Sequence, residues 1–335
     1  MIWVNWTVDP AHLLSNKFYT DAAQKLKSSN IVLPGNCNEH LLIKEMLAEQ
    51  TKKSGLVLGS SRSLIINEAE FGSADFFNLS LSASNLEDII AAYGIYYSKF
   101  GIPKKVIIGI DPWIFNENRT SEKHFALADE YNAVAELLGF EKVPNEGLKH
   151  YSNLISPTYL QESILSIMKD GFEETLSEQV DDLTLPHKNK IKLSNGTIVY
   201  PNISLPNKEL IDQGVKVFYN DDMVLGFNEY EKLSESKTNM LRTFLVHLKE
   251  QAEVILFFPP YHPDMWKHIK ENRKYQNAVK AEEHTRKLAN ELGIETIGSY
   301  DPSKYELKST DFYNAVHANH WAHQKIFGVE GDVEP

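Results

Sequence analysis

Five consecutive residues, Gly59-Ser60-Ser61-Arg62-Ser63, follow directly on the apolar run Gly55-Leu56-Val57-Leu58. A short buried strand ending this way delivers a hydroxyl to the carboxyl edge of a sheet, where open α/β sheets bind their ligands. A Gly-x-Ser turn at that edge exposes one serine oxygen and aims the serine's own N–H at a developing oxyanion. Gly/Ser clusters are also ordinary turn chemistry, and Ser61 is equally suited to capping a helix. Ser60 and Ser63 are further capping candidates, and Arg62 reads as a surface charge. Near the other terminus, Asp311-Phe312-Tyr313-Asn314-Ala315-Val316-His317 sets an imidazole among acidic and amide neighbours. A hydroxyl early in the chain and a histidine late is one of the orders in which nucleophile and base recur. The chemistry so implied is attack by Ser61 on an acyl carbonyl, its proton passing to His317.

Other residues invite chemistry less directly. His317, His320 and His323 are three apart and share a face if all are helical, a pattern open to zinc. His317 precedes the expected helix, however, and no carboxylate at ligand spacing follows. A base at His317 with two ordinary helix histidines is therefore preferred, and neither metal nor cofactor is expected. Asp111-Pro112-Trp113 follows an apolar strand and shares the edge with Ser61, where Asp111 can orient a neighbour, cap a segment or contact substrate. Trp113 is a pocket wall or a core residue. In Pro259-Pro260-Tyr261-His262-Pro263 three prolines fix a loop at the same edge, suited to a pocket wall, with His262 either a second site histidine or, preferred, a satisfied loop residue.

These residues must be held by a sizeable fold. The chain has 335 residues, 42% hydrophobic and 24% charged, as an ordinary globular protein does. Its net charge of −12 argues against nucleic acid and anionic membranes as partners. Cys37 is the one cysteine, which excludes an intrachain disulfide and a Cys-based metal site. No window is apolar enough for a membrane helix, and Met1–Trp6 lacks the basic and apolar regions of a signal peptide. Its two tryptophans fit either an N-terminal strand or the outer end of a membrane anchor.

Residues 1–54 read as a lead-in ending in a helix from about Asn38 to Lys52. Strands are expected at Gly55–Leu58, Phe76–Leu81 and Val106–Ile110. The last two flank a helix that opens with the capping box Ser84-Asn85-Leu86-Glu87 and stops at Gly101-Ile102-Pro103. Strands alternating with helices predict a parallel sheet covered on both faces. The rhythm lapses from 116 to 220, which reads as an insertion over the active edge. It holds helices at about Glu122–Leu138 and Pro157–Lys169, and a hairpin turning at Asn195-Gly196. The pattern then resumes with helix Gly226–Gln251, strand Val254–Phe258, helix Pro263–Leu292, strand Glu295–Ile297 and a last helix from Asn319. The resulting division is 1–54, 55–115, 116–220 and 221–335.

The run Gly59-Ser60-Ser61-Arg62-Ser63, then Asn78-Leu79-Ser80-Leu81-Ser82-Ala83, then Gly109-Ile110-Asp111-Pro112-Trp113, then Asn314-Ala315-Val316-His317 resembles the SGNH/GDSL hydrolase superfamily. The likeness covers about 55–115 and 253–327 and is greatest toward the cell-envelope branch of DltD-like and alginate-acetylation-like anchored proteins. It implies a flavodoxin-like three-layer α/β/α sandwich with Ser61 as nucleophile and His317 as general base. The backbone N–H groups of Ser61 and Ala83 would hold the oxyanion. Ala83 stands where the family has glycine, Asp111 where it has asparagine, Ser60 where it has an acid, and Asn314 where it has the aspartate behind the histidine. Either Asn314 or Asp311 would then orient the ring. The resemblance implies an exported acyl esterase or acyltransferase acting on an acylated envelope glycan or another small acyl ester. It also implies an N-terminal anchor ahead of Trp3 and a membrane-bound acyltransferase partner. The rival expectation is a binding or scaffold protein on the same fold, its triad decayed at Asn314.

Overall fold

In the computed structural model, residues 2–4, 17–33, 37–119, 123–144, 179–180, 190–200, 208–219 and 225–329 are described, with a few isolated positions between 155 and 183. The elements in chain order are α1 (Lys17–Leu26), β1 (Asn30–Val32), α2 (Glu39–Glu49), β2 (Gly55–Leu58), α3 (Glu68–Phe71), β3 (Phe76–Asn78), α4 (Leu86–Phe100), β4 (Lys105–Gly109) and α5 (Ala128–Leu138). There follow β5 (Gln179–Val180), β6 (Ile191–Lys192), β7 (Ile198–Val199), α6 (Lys208–Phe218), α7 (Glu235–Lys249), β8 (Glu253–Phe258), α8 (Pro263–Glu271), α9 (Gln276–Leu292), β9 (Glu295–Gly298) and α10 (His320–Phe327).

Five strands form one parallel sheet in the order β3-β2-β4-β8-β9. Counted among themselves in chain order, these strands run 2-1-3-4-5. Because successive side chains leave a strand on opposite faces, a parallel sheet needs apolar residues at every position. The central strands meet that need. Leu56, Leu58, Val106, Ile108, Leu256 and Phe258 enter one core with α4, α7 and α9, while Val57, Ile107, Ile255 and Phe257 enter a second with α3 and α10. Both faces are therefore buried and the architecture is α/β, with helices on either side of the sheet.

The lead-in and the insertion share a second sheet, in the order β5-β1-β6-β7 with every pairing antiparallel. The hairpin expected at Asn195-Gly196 is its β6–β7 pair, with Gly196 at φ 91°. This hairpin is fastened to the main sheet. Asn78 N–H donates to Asn195 O, Ile198 N–H to Leu64 O, and Thr197 Oγ1 to Ile66 O.

Several boundaries differ from the sequence reading. The strand starting at Phe76 ends at Asn78, and the cap of α4 is Asn85, paired reciprocally with Asp88, not Ser84 with Glu87. The helix expected from Gly226 begins at Glu235, where Ser234 Oγ accepts the Lys237 N–H. The long helix Pro263–Leu292 is interrupted at Asn272, whose side chain caps a short 3-10 turn before α9. The helix expected over Glu122–Leu138 is a 3-10 turn, Lys123–Leu127, followed by α5. Residues 2–4 are helical; residues 5–16 and most of the expected helix Pro157–Lys169 lie outside the described residues. No helix among the described residues is long and apolar enough to cross a membrane.

Candidate active site

Ser61 lies in a tight turn at the carboxyl end of β2, with bonds from Ser63 N–H to Ser60 O and from Leu64 N–H to Ser61 O. Ser61 caps no helix, since α3 begins only at Glu68 and its cap is Asn67. Two glycines make the turn feasible. A Cβ at Gly109 would lie 1.9 Å from Ser63 Oγ, and one at Gly59 would lie 2.8 Å from the same atom. Asn78, at the end of the neighbouring strand, clamps the far side of the turn. Its Nδ2 donates to Ser63 O, Leu64 O and Ile66 O at 2.9, 3.1 and 3.2 Å.

Ser61 Oγ is 2.8 Å from His317 Nε2, although 256 positions separate the two residues. Both are half-buried. Asn314 stands behind the ring, its Oδ1 3.1 Å from His317 Nδ1. The same Oδ1 accepts the backbone N–H groups of Val316 and His317, each at 3.0 Å. Those N–H groups are obligate donors, so the atom facing the ring must be the amide oxygen. Nδ1 therefore carries the proton, and the Nε2 lone pair is left to accept the Ser61 hydroxyl proton. Asn314 selects the tautomer that a general base requires. It brings no charge, however, and burial together with Arg62 and Lys190 lowers the His317 pKa to about 3.

Asp311 is placed elsewhere. Its Oδ2 accepts the Lys308 N–H at 2.8 Å and lies 3.5 Å from Lys325 Nζ. Of the two orienting candidates, Asn314 is the one at the ring.

Arg62 is not a surface charge. It is buried and stitches three loops together, because the planar guanidinium offers five donors in a fixed fork. Nε donates to Val316 O at 3.0 Å, Nη1 to Asp111 at 2.8 Å and Nη2 to Pro259 O at 2.5 Å, with the Tyr261 ring 3.9 Å from the guanidinium carbon. Asp111 is thereby committed to this pair behind Ser61 and is not presented to a ligand. Burial raises its pKa, and Arg62 opposes the shift.

The other expected site residues have definite places. Trp113 is buried, donates its indole N–H to Ser84 O at 2.8 Å and lies under Arg119. His262 is fully buried and caps α8, its Nδ1 accepting the Asp264 N–H. Both are buried and hold the loops that flank the site. Ala83 is exposed on a loop that runs beside Gly59, with Leu81 N–H bonded to Gly59 O. Its φ of 58° lies in the left-handed region that favours glycine. Arg119 Nη2 holds the Ala83 carbonyl at 2.8 Å, and Glu39 takes both the N–H and the hydroxyl of Ser82. Among the described residues, the N–H groups of Ser61 and Ala83 meet no intramolecular acceptor, as an oxyanion site requires.

The three histidines of the last segment do not converge. His320 faces Glu70 and Asn67, while His323 is buried against Phe257 and Phe327. Asp212, His262 and Asp264 do approach one another. The bond from Asp264 N–H to Nδ1 places the His262 proton on Nε2, so the ring turns an N–H and not a lone pair toward Asp212, 3.9 Å away. That donor set suits a hydrogen bond better than a metal.

Sequence reasoning misread Arg62 as a surface charge, gave Asn78 no role of its own, and overlooked Glu39 and the pair Lys190 and Tyr200. The Tyr200 ring centroid is 6.5 Å from that of His317 and 4.7 Å from that of Tyr313, and Lys190 Nζ lies 5.4 Å from the Tyr200 centroid. Asn78 alone carried a visible signal, an amide at the end of an otherwise apolar strand.

No family model and no curated protein sequence matches this chain.

Proposed function

We propose that this chain is an SGNH-type serine acyl esterase or O-acyltransferase, exported and acting on an acylated glycan of the cell envelope. The observation that carries the reading is the relay Ser61–His317–Asn314 at the carboxyl edge of a parallel sheet. The 2-1-3-4-5 strand order, which is the flavodoxin-like one, supports it. So does the left-handed Ala83, whose N–H stands free on the loop beside β2.

In this reading Ser61 Oγ attacks the acyl carbon while its proton moves to His317 Nε2. The carbonyl oxygen, now anionic, is held by the N–H groups of Ser61 and Ala83. The ester C–O bond then breaks and the alcohol leaves with the proton from His317. Water or a second alcohol attacks acyl-Ser61 as its proton passes to His317 Nε2, and the acyl–Oγ bond then breaks while that proton moves on to Ser61 Oγ, which regenerates both residues. Water completes hydrolysis; a glycan hydroxyl completes transfer, with a membrane-bound acyltransferase as the partner that supplies acyl groups.

The test is turnover of 4-nitrophenyl acetate. Ser61→Ala and His317→Ala should each lose roughly 10³-fold or more of the rate, since members of such a unit fail together. A rate unmoved by Ser61→Ala would leave the uncharged Asn314 as the mark of a decayed site, and the scaffold reading would take its place.

A further inference from the structure

We propose that Lys190 and Tyr200, both supplied by the insertion, form the leaving-group side of the Ser61 site and select substrates whose alcohol portion carries a negative charge. The inference rests on the reading of Ser61 and His317 as nucleophile and base.

The argument begins with the hairpin. Lys190 immediately precedes β6 and Tyr200 immediately follows β7, so antiparallel pairing brings both to the open end of the hairpin. The bonds from Asn78 to Asn195, Ile198 to Leu64 and Thr197 to Ile66 seat that hairpin against the Ser61 turn. Tyr200 therefore stands beside His317 and packs on Tyr313, one of the residues of the histidine loop. Lys190 lies over the Tyr200 ring, where a cation is favoured by the aromatic quadrupole.

Position decides which half of the substrate this wall meets. His317 must hand its proton to the departing alcohol oxygen, so groups flanking the imidazole border the alcohol and not the acyl chain. An aromatic face beside a cation suits a ring-shaped alcohol with an anionic substituent.

Charge points the same way. The chain as a whole is acidic at −12, and its global field repels anions. The immediate surroundings of His317 differ. Arg62 is neutralised by Asp111. Among the described residues Lys190 has no carboxylate within ion-pair distance. Lys192, two residues along on the same strand face, is buried, and burial lowers its pKa against the field of Glu39, so the charge this edge presents is that of Lys190. Glu39 accepts from Ser82 and its field falls on Lys192 and Tyr200, whereas the charges acting on His317 are those of Arg62 and Lys190. Cys37 is nearby, but burial holds it as a neutral thiol with its pKa raised to about 12. The neighbouring phenols of Tyr200 and Tyr313 are likewise held neutral by burial. A cation left uncompensated beside the base, in an otherwise acidic protein, attracts an anionic ligand group.

The experiment compares two matched pairs of esters at low ionic strength. In 4-acetoxybenzoate and its methyl ester the charge difference lies on the alcohol; in mono(4-nitrophenyl) adipate and 4-nitrophenyl hexanoate it lies on the acyl chain. In the wild-type protein, kcat/KM should favour 4-acetoxybenzoate over its methyl ester. Lys190→Gln should lower that ratio roughly tenfold, Lys190→Glu should invert it, and Lys190→Arg should restore it, as expected for an interfacial charge. The adipate-to-hexanoate ratio should not follow Lys190. A ratio that moves for the acyl pair instead, or for neither pair, overturns the proposal. Should the wild-type protein turn over no ester at all, the hydrolase reading fails, and the subsite is tested by ligand-observed NMR. Binding of 4-hydroxybenzoate in preference to its methyl ester, lost in Lys190→Gln, supports it, and equal binding overturns it.

Discussion

Asn314 decides whether this histidine can act as a base. An asparagine behind a histidine base would ordinarily threaten the tautomer, and in serine proteases an aspartate-to-asparagine change there costs about 10⁴ in rate for that reason. Here the N–H groups of Val316 and His317 pin the amide oxygen toward the ring, so Nδ1 is the donor and Nε2 the acceptor. What asparagine cannot supply is charge to hold the imidazolium that forms in the transition state. Asn314→Asp should therefore raise kcat on a simple ester roughly tenfold at pH 8, less than the protease figure because the tautomer is already correct. The pH profile should move too. The base works when neutral, and its pKa is lowered to about 3 by burial, Arg62 and Lys190. The wild-type rate should then persist well below pH 6.5, the ordinary histidine value. A carboxylate at 314 raises the pKa, so the acid limb of the variant should lie at higher pH. Measuring kcat/KM from pH 4 to 9 for both proteins checks this; coincident profiles of equal height would contradict it.

At the scale of elements, the site is an assembly of strand ends. β2 brings Ser61, β4 leads to Asp111, the loop after β8 brings Pro259 and Tyr261, and the last segment brings Val316 and His317. Arg62 bonds to a group from each of the last three. Lysine retains the charge but offers no planar fork, so it cannot reach Val316, Asp111 and Pro259 together. Arg62→Lys should lower kcat by roughly 10²-fold with little change in KM, because displacing His317 by about 1 Å is enough for such a loss. Steady-state kinetics beside a thermal melt would check this, and unchanged kcat in a folded variant would refute the positioning role. Much of this frame was legible in the sequence. Unbroken apolar runs bounded by Gly, Ser and Pro gave the strands of the parallel sheet, and Gly55–Leu58 falls on its observed bounds. The caps were harder to read. Ser84-Asn85-Leu86-Glu87-Asp88 contains two overlapping capping boxes that sequence alone does not rank, and the one formed is Asn85 with Asp88. Asn272 likewise breaks a helix across which the apolar pattern continues, because its side chain takes a backbone N–H locally.

At the scale of the whole molecule, the lead-in and the insertion act together. β1 lies between β5 and β6, so Asn30–Val32 of the lead-in completes a small sheet whose hairpin bears on the Ser61 turn. Such pairing joins segments about 150 positions apart and leaves no local pattern in sequence, which is why Lys190, Tyr200 and Glu39 escaped notice. Arg62 was misread for a related reason. A buried arginine looks like a surface one until its partners are known, and those partners come from the far ends of three other segments. Ser61 and His317 were legible because turn chemistry and chain order already set them apart.

The most direct measurement is the site of reaction with a fluorophosphonate, located by peptide mass spectrometry between pH 5 and 9. The account predicts one adduct, on Ser61, formed across that range because His317 stays neutral throughout. The adduct should be absent in Ser61→Ala and slowed at least roughly 10³-fold in His317→Ala. No adduct anywhere in the range, or an adduct on another residue that persists in Ser61→Ala, would contradict the account.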